Sequence, residues 1–250
     1  MFRLAISYAS AITLACLYLV YLLFQRSTSL DLPDLAPPAK SPNRVTTLLY
    51  VPFDTAIPRS HRLALGESRR YGSLLVTPLR VTRGPLEFVF HDPSADEIRP
   101  PSRPVLKLHL RFENVSAEQE FAPLDRHLVF AKEPDPRHFG RFKANNLLCA
   151  ADNRMQPDRH VLVYDLSPES QWIVRDENLD QELKPGDSID SFIPTTEEGW
   201  EALGGPLVWR VHLRKGYNPT SFRGVTTLIE VLFHSVDIID EAAIPAIRDA

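Results

Sequence analysis

Within the stretch Pro104–Leu124, apolar and polar residues alternate with a period of two from Leu106 to Glu113. The apolar positions are Leu106, Leu108, Leu110 and Phe112, and the polar positions between and after them are Lys107, His109, Arg111 and Glu113. Successive side chains of a β-strand point to opposite faces, so the pattern predicts a strand with one buried face and one solvated face. Such a strand is not stable alone, and we expect a second sheet to cover its apolar face.

Two later stretches also predict strands. The first alternates in the same way: its inward positions are Leu207, Trp209, Val211 and Leu213, and its outward positions are Val208, Arg210, His212 and Arg214. The second, Val225–Ile239, is apolar on both faces, which is typical of a central or partly covered strand. A further long strand is predicted after Gly72, with a break or bulge at Pro78.

A single helix is predicted after the N-terminal region, over Thr195–Leu203. Thr195 and Glu198 have the spacing of a capping box, and Gly204-Gly205 end the helix. The remaining chain reads as about eight or nine short strands separated by turn residues. This pattern predicts an all-β fold, an antiparallel β-sandwich.

The N-terminal region carries a long apolar run. Leu4–Phe24 contains no charged residue and lies between Arg3 and Arg26. At a rise of about 1.5 Å per residue a helix of this length just spans the hydrocarbon core of a bilayer. We therefore predict an N-terminal transmembrane anchor over residues 1–26, with a cleaved signal peptide as the alternative. The positive charge before the run predicts that the domain lies outside the cytoplasm.

Proline marks the next boundary. Residues 27–60 are rich in proline and predict a semi-rigid stalk. Within them, Thr46–Phe53 is apolar enough to predict a strand that joins the domain. The β-sandwich domain is assigned to residues 61–240, and residues 241–250 to a flexible tail.

Composition and charge exclude several classes of protein. The hydrophobic fraction of 44% and charged fraction of 24% argue against global disorder. The net charge of −4, without a basic block, argues against a nucleic-acid partner. The two cysteines are Cys16 and Cys149. No disulfide is predicted between them, and Cys149 is interpreted as a packed apolar residue.

No catalytic or cofactor motif is present in the sequence. The nucleophile elbow, the P-loop, the dinucleotide fingerprint and zinc-finger spacing are all missing. His109, His212 and His234 fall on predicted strands without a local metal-ligand spacing. Acidic loops such as Asp176–Asp180 do not match an EF-hand. We therefore expect a non-enzymatic protein with no cofactor and no metal.

Two basic rows are the candidate binding residues. The rows are Lys107, His109 and Arg111 on one strand and Arg210, His212 and Arg214 on another. If the two strands are neighbours, the rows form a basic stripe that requires acidic neighbours or an anionic partner. The alternative is that they belong to different sheets or are solvated faces.

Three short segments carry a resemblance to a known family. They are Tyr71–Thr77 with the form G-x-L-x-V-T, Arg111–Ser116 with a strand ending in asparagine, and Leu183–Asp187 with the form L-x-P-G-D. Over roughly 63–239 the chain resembles bacterial extracytoplasmic immunoglobulin-like domains of unknown function. The resemblance implies an immunoglobulin-like sandwich and an extracytoplasmic location, but no activity.

The leading functional hypothesis follows from these observations. It is a single-pass membrane protein presenting a non-catalytic immunoglobulin-like domain for protein–protein interaction, with an unknown membrane or envelope protein as the partner. The alternative is an extracytoplasmic ligand- or metal-binding domain that uses the charged strand faces.

Overall fold

The computed structural model describes Tyr18, Val51, Thr55 and residues 57–92, 97–132, 142–156, 159–166, 170–218, 220 and 223–243. All of these except Tyr18 belong to one compact unit, residues 35–250. The chain is mostly β, and the part of it that is described contains no helix of seven or more residues. The predicted all-β class is therefore confirmed.

Fourteen strands lie within the described residues. They are β1 (Arg62–Ala64), β2 (Arg69–Tyr71), β3 (Leu74–Gly84), β4 (Phe88–Phe90), β5 (Val105–Asn114), β6 (Phe130–Lys132), β7 (Phe142–Ala144), β8 (Leu147–Ala150), β9 (Val161–Leu162), β10 (Trp172–Val174), β11 (Ser188–Pro194), β12 (Pro206–Tyr217), β13 (Gly224–His234) and β14 (Ile238–Asp240). One α-helical turn, Arg126–Val129, precedes β6. Short 3-10 turns cover Arg59–His61, Ala151–Asn153, Trp200–Ala202, Ser235–Asp237 and Glu241–Ala243.

The strands form two larger sheets and two small ones. Sheet I has the order β1-β13-β12-β8-β9, and sheet II has the order β11-β5-β3-β14 with β2 paired to β3. The strands β10 and β4 form one two-stranded sheet, and β6 and β7 form the other. Most pairs are antiparallel, but β1 is parallel to β13 and β14 is parallel to β3. Strand β3 carries its predicted irregularity between Pro78 and Arg80.

One hydrophobic core is shared by sheets I and II. The apolar faces predicted for β5 and β12 both enter it, which confirms those two registers. The buried members from these strands are Leu106, Leu108, Leu110 and Phe112 of β5 and Leu207, Trp209, Val211 and Leu213 of β12. Each side chain of this size contributes about 1.5–3 kcal/mol when fully buried, before conformational entropy is subtracted.

Asn114 joins the three segments that carry the family resemblance. It pairs with Leu74 at the start of β3, and Val115 N–H donates to the Ser73 carbonyl at 2.9 Å. The Asn114 carbonyl accepts from Gly186 N–H at 2.8 Å, and its side-chain amide donates to the Leu183 carbonyl at 2.8 Å. Gly186 has a φ of 84°, which a glycine adopts without strain at this turn.

The predicted helix Thr195–Leu203 does not form. Thr195 is buried and pairs with Val163 in an isolated bridge, and its hydroxyl oxygen accepts from the Leu106 N–H at 3.1 Å. The Thr195 hydroxyl, which was expected to cap the helix, is thus bonded to strand β5 instead. Only the 3-10 turn Trp200–Ala202 forms after it.

The transmembrane assignment also requires correction. No helix among the residues that the structure describes is long and apolar enough to cross a membrane. An uncharged run meets the hydropathy condition of a span, but a span also needs a continuous helix of about 20 residues. Of the predicted segment Leu4–Phe24, only Tyr18 is described, and the rest lies outside the described residues.

Other assignments fall partly outside the described residues. The stalk, 27–60, is described only at Val51, Thr55 and Ile57–Ser60, and the tail only at Glu241–Ala243. Cys16 lies outside them as well. Cys149 is a buried free thiol that packs with Leu147 and Val208, and burial raises its pKa to about 11.

Candidate functional site

The outward row of β5 lines an open groove on sheet II. Lys107 and His109 form part of its floor, and the volume of the groove is about 490 Å³. We call it the strand-face groove. Its lining residues are Pro85, Glu87, Lys107, His109, Arg175, Asp176, Asp190, Ser191, Phe192 and Glu241.

Lys107 is held between a carboxylate and an aromatic ring. Its Nζ donates to Oε2 of Glu241 at 2.9 Å and lies 5.5 Å from the centroid of the Phe192 ring. The residue is buried, which the sequence pattern did not predict, since position 107 was expected to be solvated. Burial of an ammonium group is tolerated here because the Glu241 carboxylate compensates its charge.

His109 is oriented by Thr82. Nε2 of His109 lies 2.8 Å from Oγ1 of Thr82, which lies 2.7 Å from Oε1 of Glu241. The carboxylate can only accept, so the Thr82 hydroxyl donates to it and accepts from the His109 Nε2–H. This leaves the lone pair on Nδ1 of His109.

The His109 imidazole is neutral at pH 7. Burial lowers its pKa to about 4, and the nearby charge of Arg80 acts in the same direction. The ring also packs against Phe192, with 5.7 Å between centroids. The groove therefore presents an uncharged hydrogen-bond acceptor beside an aromatic ring.

Arg111 continues the row beyond the groove. It pairs across the strands with Asp190, and two hydrogen bonds of 2.6 and 2.8 Å join the guanidinium to the carboxylate. Both side chains are about half exposed. The hydrogen bonds and charge of Arg111 lower the pKa of Asp190. Exposed pairs of this kind contribute little stability, so Arg111 and Asp190 can exchange partners with a bound molecule.

The second basic row lies in the other sheet. Because β12 belongs to sheet I and β5 to sheet II, the structure does not bring the two rows together. Arg210 and His212 are buried rather than solvated. Arg214 is largely buried as well and forms an ion pair with Asp125. The alternative that the two strands belong to different sheets therefore holds, and the condition for a continuous basic stripe is not met.

Arg210 instead binds Val51 directly, and His212 contacts it through Asn145. Arg210 donates to the Val51 carbonyl at 3.0 Å, and Val51 N–H donates to the Asn145 side chain at 3.1 Å. The Asn145 amide lies 3.1 Å from Nδ1 of His212. The amide nitrogen of Asn145 can only donate, so Nδ1 of His212 accepts this hydrogen bond. Burial lowers the pKa of His212 to about 4. Val51 thus lies over the outer face of β12.

Glu230 is the most deeply buried carboxylate of the same face. It lies directly opposite Arg210 on the neighbouring strand and forms ion pairs with Arg62 and Arg154. Only about 1% of its side chain is exposed. Arg62 and Arg154 compensate the charge of this buried carboxylate, and Glu230 does not line the strand-face groove, so we interpret the cluster as structural.

The sequence does not predict a site role for Phe192 and Glu241 of the strand-face groove, or for Thr82, which contacts two of the lining residues. Its pattern places Phe192 only in a strand and Glu241 in a flexible tail. Glu241 reaches the groove because β14 pairs with β3. The two isoleucines of Ile238–Asp240 are compatible with a strand, but three residues are too few to predict a pairing.

The described part of the acidic loops and the described histidines do not assemble into a metal centre. In the described residues, no group of three or more histidine, cysteine, aspartate or glutamate side chains could hold a metal ion. His109 and His212 belong to different sheets. Asp176, Asn178 and Asp180 all have positive φ values near 50–60°, as expected for Asx residues in a tight loop.

Comparison with known proteins adds little to this description. No protein-family model and no curated protein matches the chain. A crystal structure of the yjhA protein from Bacillus subtilis is similar over 67% of this chain and 98% of that chain, at 11% sequence identity and a TM-score of 0.35. A likeness of this size carries no argument about fold or function.

Proposed function

We propose that this chain is a non-catalytic recognition domain with an immunoglobulin-like β-sandwich, and that it binds a partner protein through the strand-face groove. Two observations support the sandwich. Sheets I and II contribute to one hydrophobic core, and the three segments that carry the family resemblance meet around Asn114. The resemblance adds an extracytoplasmic location to the proposal.

The composition of the groove carries the proposal of a protein partner. Both cations in its lining already have carboxylate partners, since Lys107 pairs with Glu241 and Arg175 pairs with Glu87. A small anion would have to displace one of these carboxylates. A protein surface can instead use the Phe192 ring, the His109 acceptor and the exposed ion pairs together, as mixed interfaces commonly do.

The geometry around His109 supports a non-catalytic role. A general base must accept a proton from the nucleophile that it activates. Here the Nε2–H of His109 donates to Thr82, and the Thr82 hydroxyl donates to Glu241. Thr82 and His109 therefore do not form a nucleophile–base pair.

Site-specific photo-crosslinking in the source cells tests this proposal. The photoreactive residue benzoyl-phenylalanine would replace Asp176, which is exposed and lines the groove, or Leu162, which is exposed on sheet I. We expect a protein adduct from position 176 and not from position 162. His109→Ala should weaken the adduct from position 176, whereas Leu232→Ala on sheet I should not.

The opposite pattern contradicts the proposal. Adducts of equal yield from both positions, or an adduct that His109→Ala leaves unchanged, would show that the groove does not recognise the partner. A small molecule or metal retained by the purified chain in native mass spectrometry, without any protein adduct, would favour the ligand-binding alternative.

A further inference from the structure

A second groove lies along one edge of β4. It has a volume of about 420 Å³ and lies between the segment Glu87–Phe90 and the segment that contains Ile98, Arg99 and Pro101. Neighbouring side chains of a strand point to opposite faces, so a groove lined by four consecutive residues follows the edge of the strand rather than a face. We call it the β4-edge groove.

The hydrogen bonds of β4 show which main-chain groups face this groove. Arg175 N–H donates to the Glu87 carbonyl at 2.9 Å, and His91 N–H donates to the Gln171 carbonyl at 2.7 Å. Hydrogen-bonded pairs alternate along an antiparallel ladder, so the main-chain groups of Phe88 and Phe90 point away from β10. Within the described chain, no hydrogen bond reaches these groups on the groove side.

The same edge is closed one residue earlier. The Leu86 carbonyl accepts from Ser102 N–H at 3.0 Å, and Leu86 N–H donates to the Ser102 hydroxyl at 2.7 Å. Beyond Leu86 the two segments separate, and the β4-edge groove opens between them. An unpaired strand edge beside such a gap is a template for one additional strand.

Charge and apolar surface define the occupant. Three acidic residues line the groove: Glu87, Asp92 and Glu97. The two arginines are engaged, since Arg175 pairs with Glu87 and the Arg99 guanidinium lies 3.8 Å from the centroid of the Phe88 ring. Ile98 is 92% exposed and supplies an apolar contact at the opposite wall.

We infer that the β4-edge groove binds an extended peptide segment of a partner protein, which adds to β4 as a third strand and carries a basic residue among alternating apolar residues. Glu97 complements the basic residue, because Glu87 is already paired with Arg175. A second copy of this chain fits less well, because pairing β4 with itself would place the Glu97 carboxylates of both copies in one groove. The inference rests on the proposed recognition function and specifies how one partner segment is held.

Capped pentapeptides are suitable probes. The first is Ac-Thr-Val-Lys-Val-Thr-NH2, and the second has glutamate in place of lysine. Titrated into the full-length chain and followed by NMR, the lysine peptide should shift the amide signals of Phe88 and Phe90. In a strand only alternate amides face the neighbour, so N-methylation of one alternate set should abolish binding and methylation of the other set should preserve it.

Phe90→Pro and Phe90→Ala form a matched pair of variants. Both remove the aromatic ring, but only proline removes the N–H that faces the groove. We expect Phe90→Pro to weaken the lysine peptide about fivefold to tenfold more than Phe90→Ala does, as expected for one lost hydrogen bond. Glu97→Lys, a surface change that leaves the strand intact, should weaken the lysine peptide and strengthen the glutamate peptide.

Several results would overturn the inference. They are unshifted Phe88 and Phe90 amides at millimolar peptide, equal affinities of the Phe90→Pro and Phe90→Ala chains, or equal binding of the lysine and glutamate peptides. Concentration-dependent shifts of the same amides without peptide would assign the edge to a second copy instead. Peptide binding without a crosslink from position 176 would reject the strand-face groove as the partner site, and the reverse result would reject the β4-edge groove alone.

Discussion

Lys107 and Glu241 are joined by a hydrogen-bonded ion pair of 2.9 Å although they lie 134 positions apart in the chain. The contact holds the C-terminal segment on the outward face of sheet II and builds one wall of the strand-face groove. Gly84 permits this approach, because a side chain there would collide with the Glu241 carboxylate. A buried ammonium group and the end of the domain therefore stabilise each other.

Glu241→Gln should loosen that wall. The amide cannot balance the buried Lys107 charge, so we expect the free energy of unfolding to fall by about 1–3 kcal/mol. Hydrogen exchange at the amides of Ile238–Asp240 should become faster. Urea denaturation and hydrogen exchange measure the two effects. Glu201→Gln, on an exposed turn, is the control and should change stability by less than about 0.5 kcal/mol; an equal effect of both changes would contradict the role of Glu241.

Glu230→Gln should be more damaging. The change leaves Arg62 and Arg154 without the buried carboxylate that pairs with them, and loss of one member of a buried ion pair costs about 3–5 kcal/mol. The matched control is Asp190→Asn, which breaks an exposed pair and should cost less than about 1 kcal/mol. Chemical denaturation measures the free energy of unfolding of both variants. Similarly small decreases in the two variants would show that the Glu230 cluster is solvated.

Acidification should destabilise the chain through its buried histidines. His212 has a pKa of about 4 in the folded chain and about 6.5 in an unfolded one, so unfolding takes up a proton between these values. The contribution of neutral His212 to the free energy of unfolding is therefore complete above about pH 6.5 and is lost as the pH falls towards 4. His109 acts in the same direction, because its pKa is also about 4.

Comparison with a His212→Gln chain isolates this contribution. Glu177 has a pKa raised to about 8, mainly by burial, and contributes a slope of opposite sign over an overlapping range. The difference in unfolding free energy between the two chains should shrink by about 2–3 kcal/mol from pH 7 to pH 4. Urea denaturation at several pH values measures it. A difference that stays constant would show that His212 titrates normally.

The shared core offers a test of the strand registers. Leu108→Ala and Trp209→Ala remove fully buried side chains from β5 and β12 and should each lower the free energy of unfolding by about 2–5 kcal/mol. Leu108→Asp should be worse, since it buries a charge. Leu162→Ala, at a partly exposed position of β9, is the control and should cost about 1 kcal/mol or less. Thermal melts measure these losses. If the melting temperature of the control falls as far as that of the core variants, the proposed strand registers are wrong.

The inner faces of the strands were predictable, but the outer faces were not. A period of two assigns Leu108 and Trp209 to the core whatever the neighbours are. It does not reveal that Val51 and Asn145, distant in the chain, cover Arg210 and His212. The burial of Lys107 was unpredictable for the same reason. Its partner Glu241 follows β14, a strand of only three residues whose pairing the sequence does not indicate. The helix predicted to begin at Thr195 is wrong for the converse reason. The local sequence has a capping signal, but the Thr195 hydroxyl bonds to Leu106 N–H on a distant strand instead.

The parallel pairing of β1 with β13 has a consequence for synthesis. Leu63 of β1 pairs with Val231 of β13, so one of the first strands of the domain has its sheet partner near the other end of the chain. Pairing over such a separation is slow and cannot begin while β13 is still within the ribosome. Sheet I is therefore completed only after translation has passed β13, and a chain that terminates before Gly224 leaves one edge of β12 without its hydrogen-bonded neighbour.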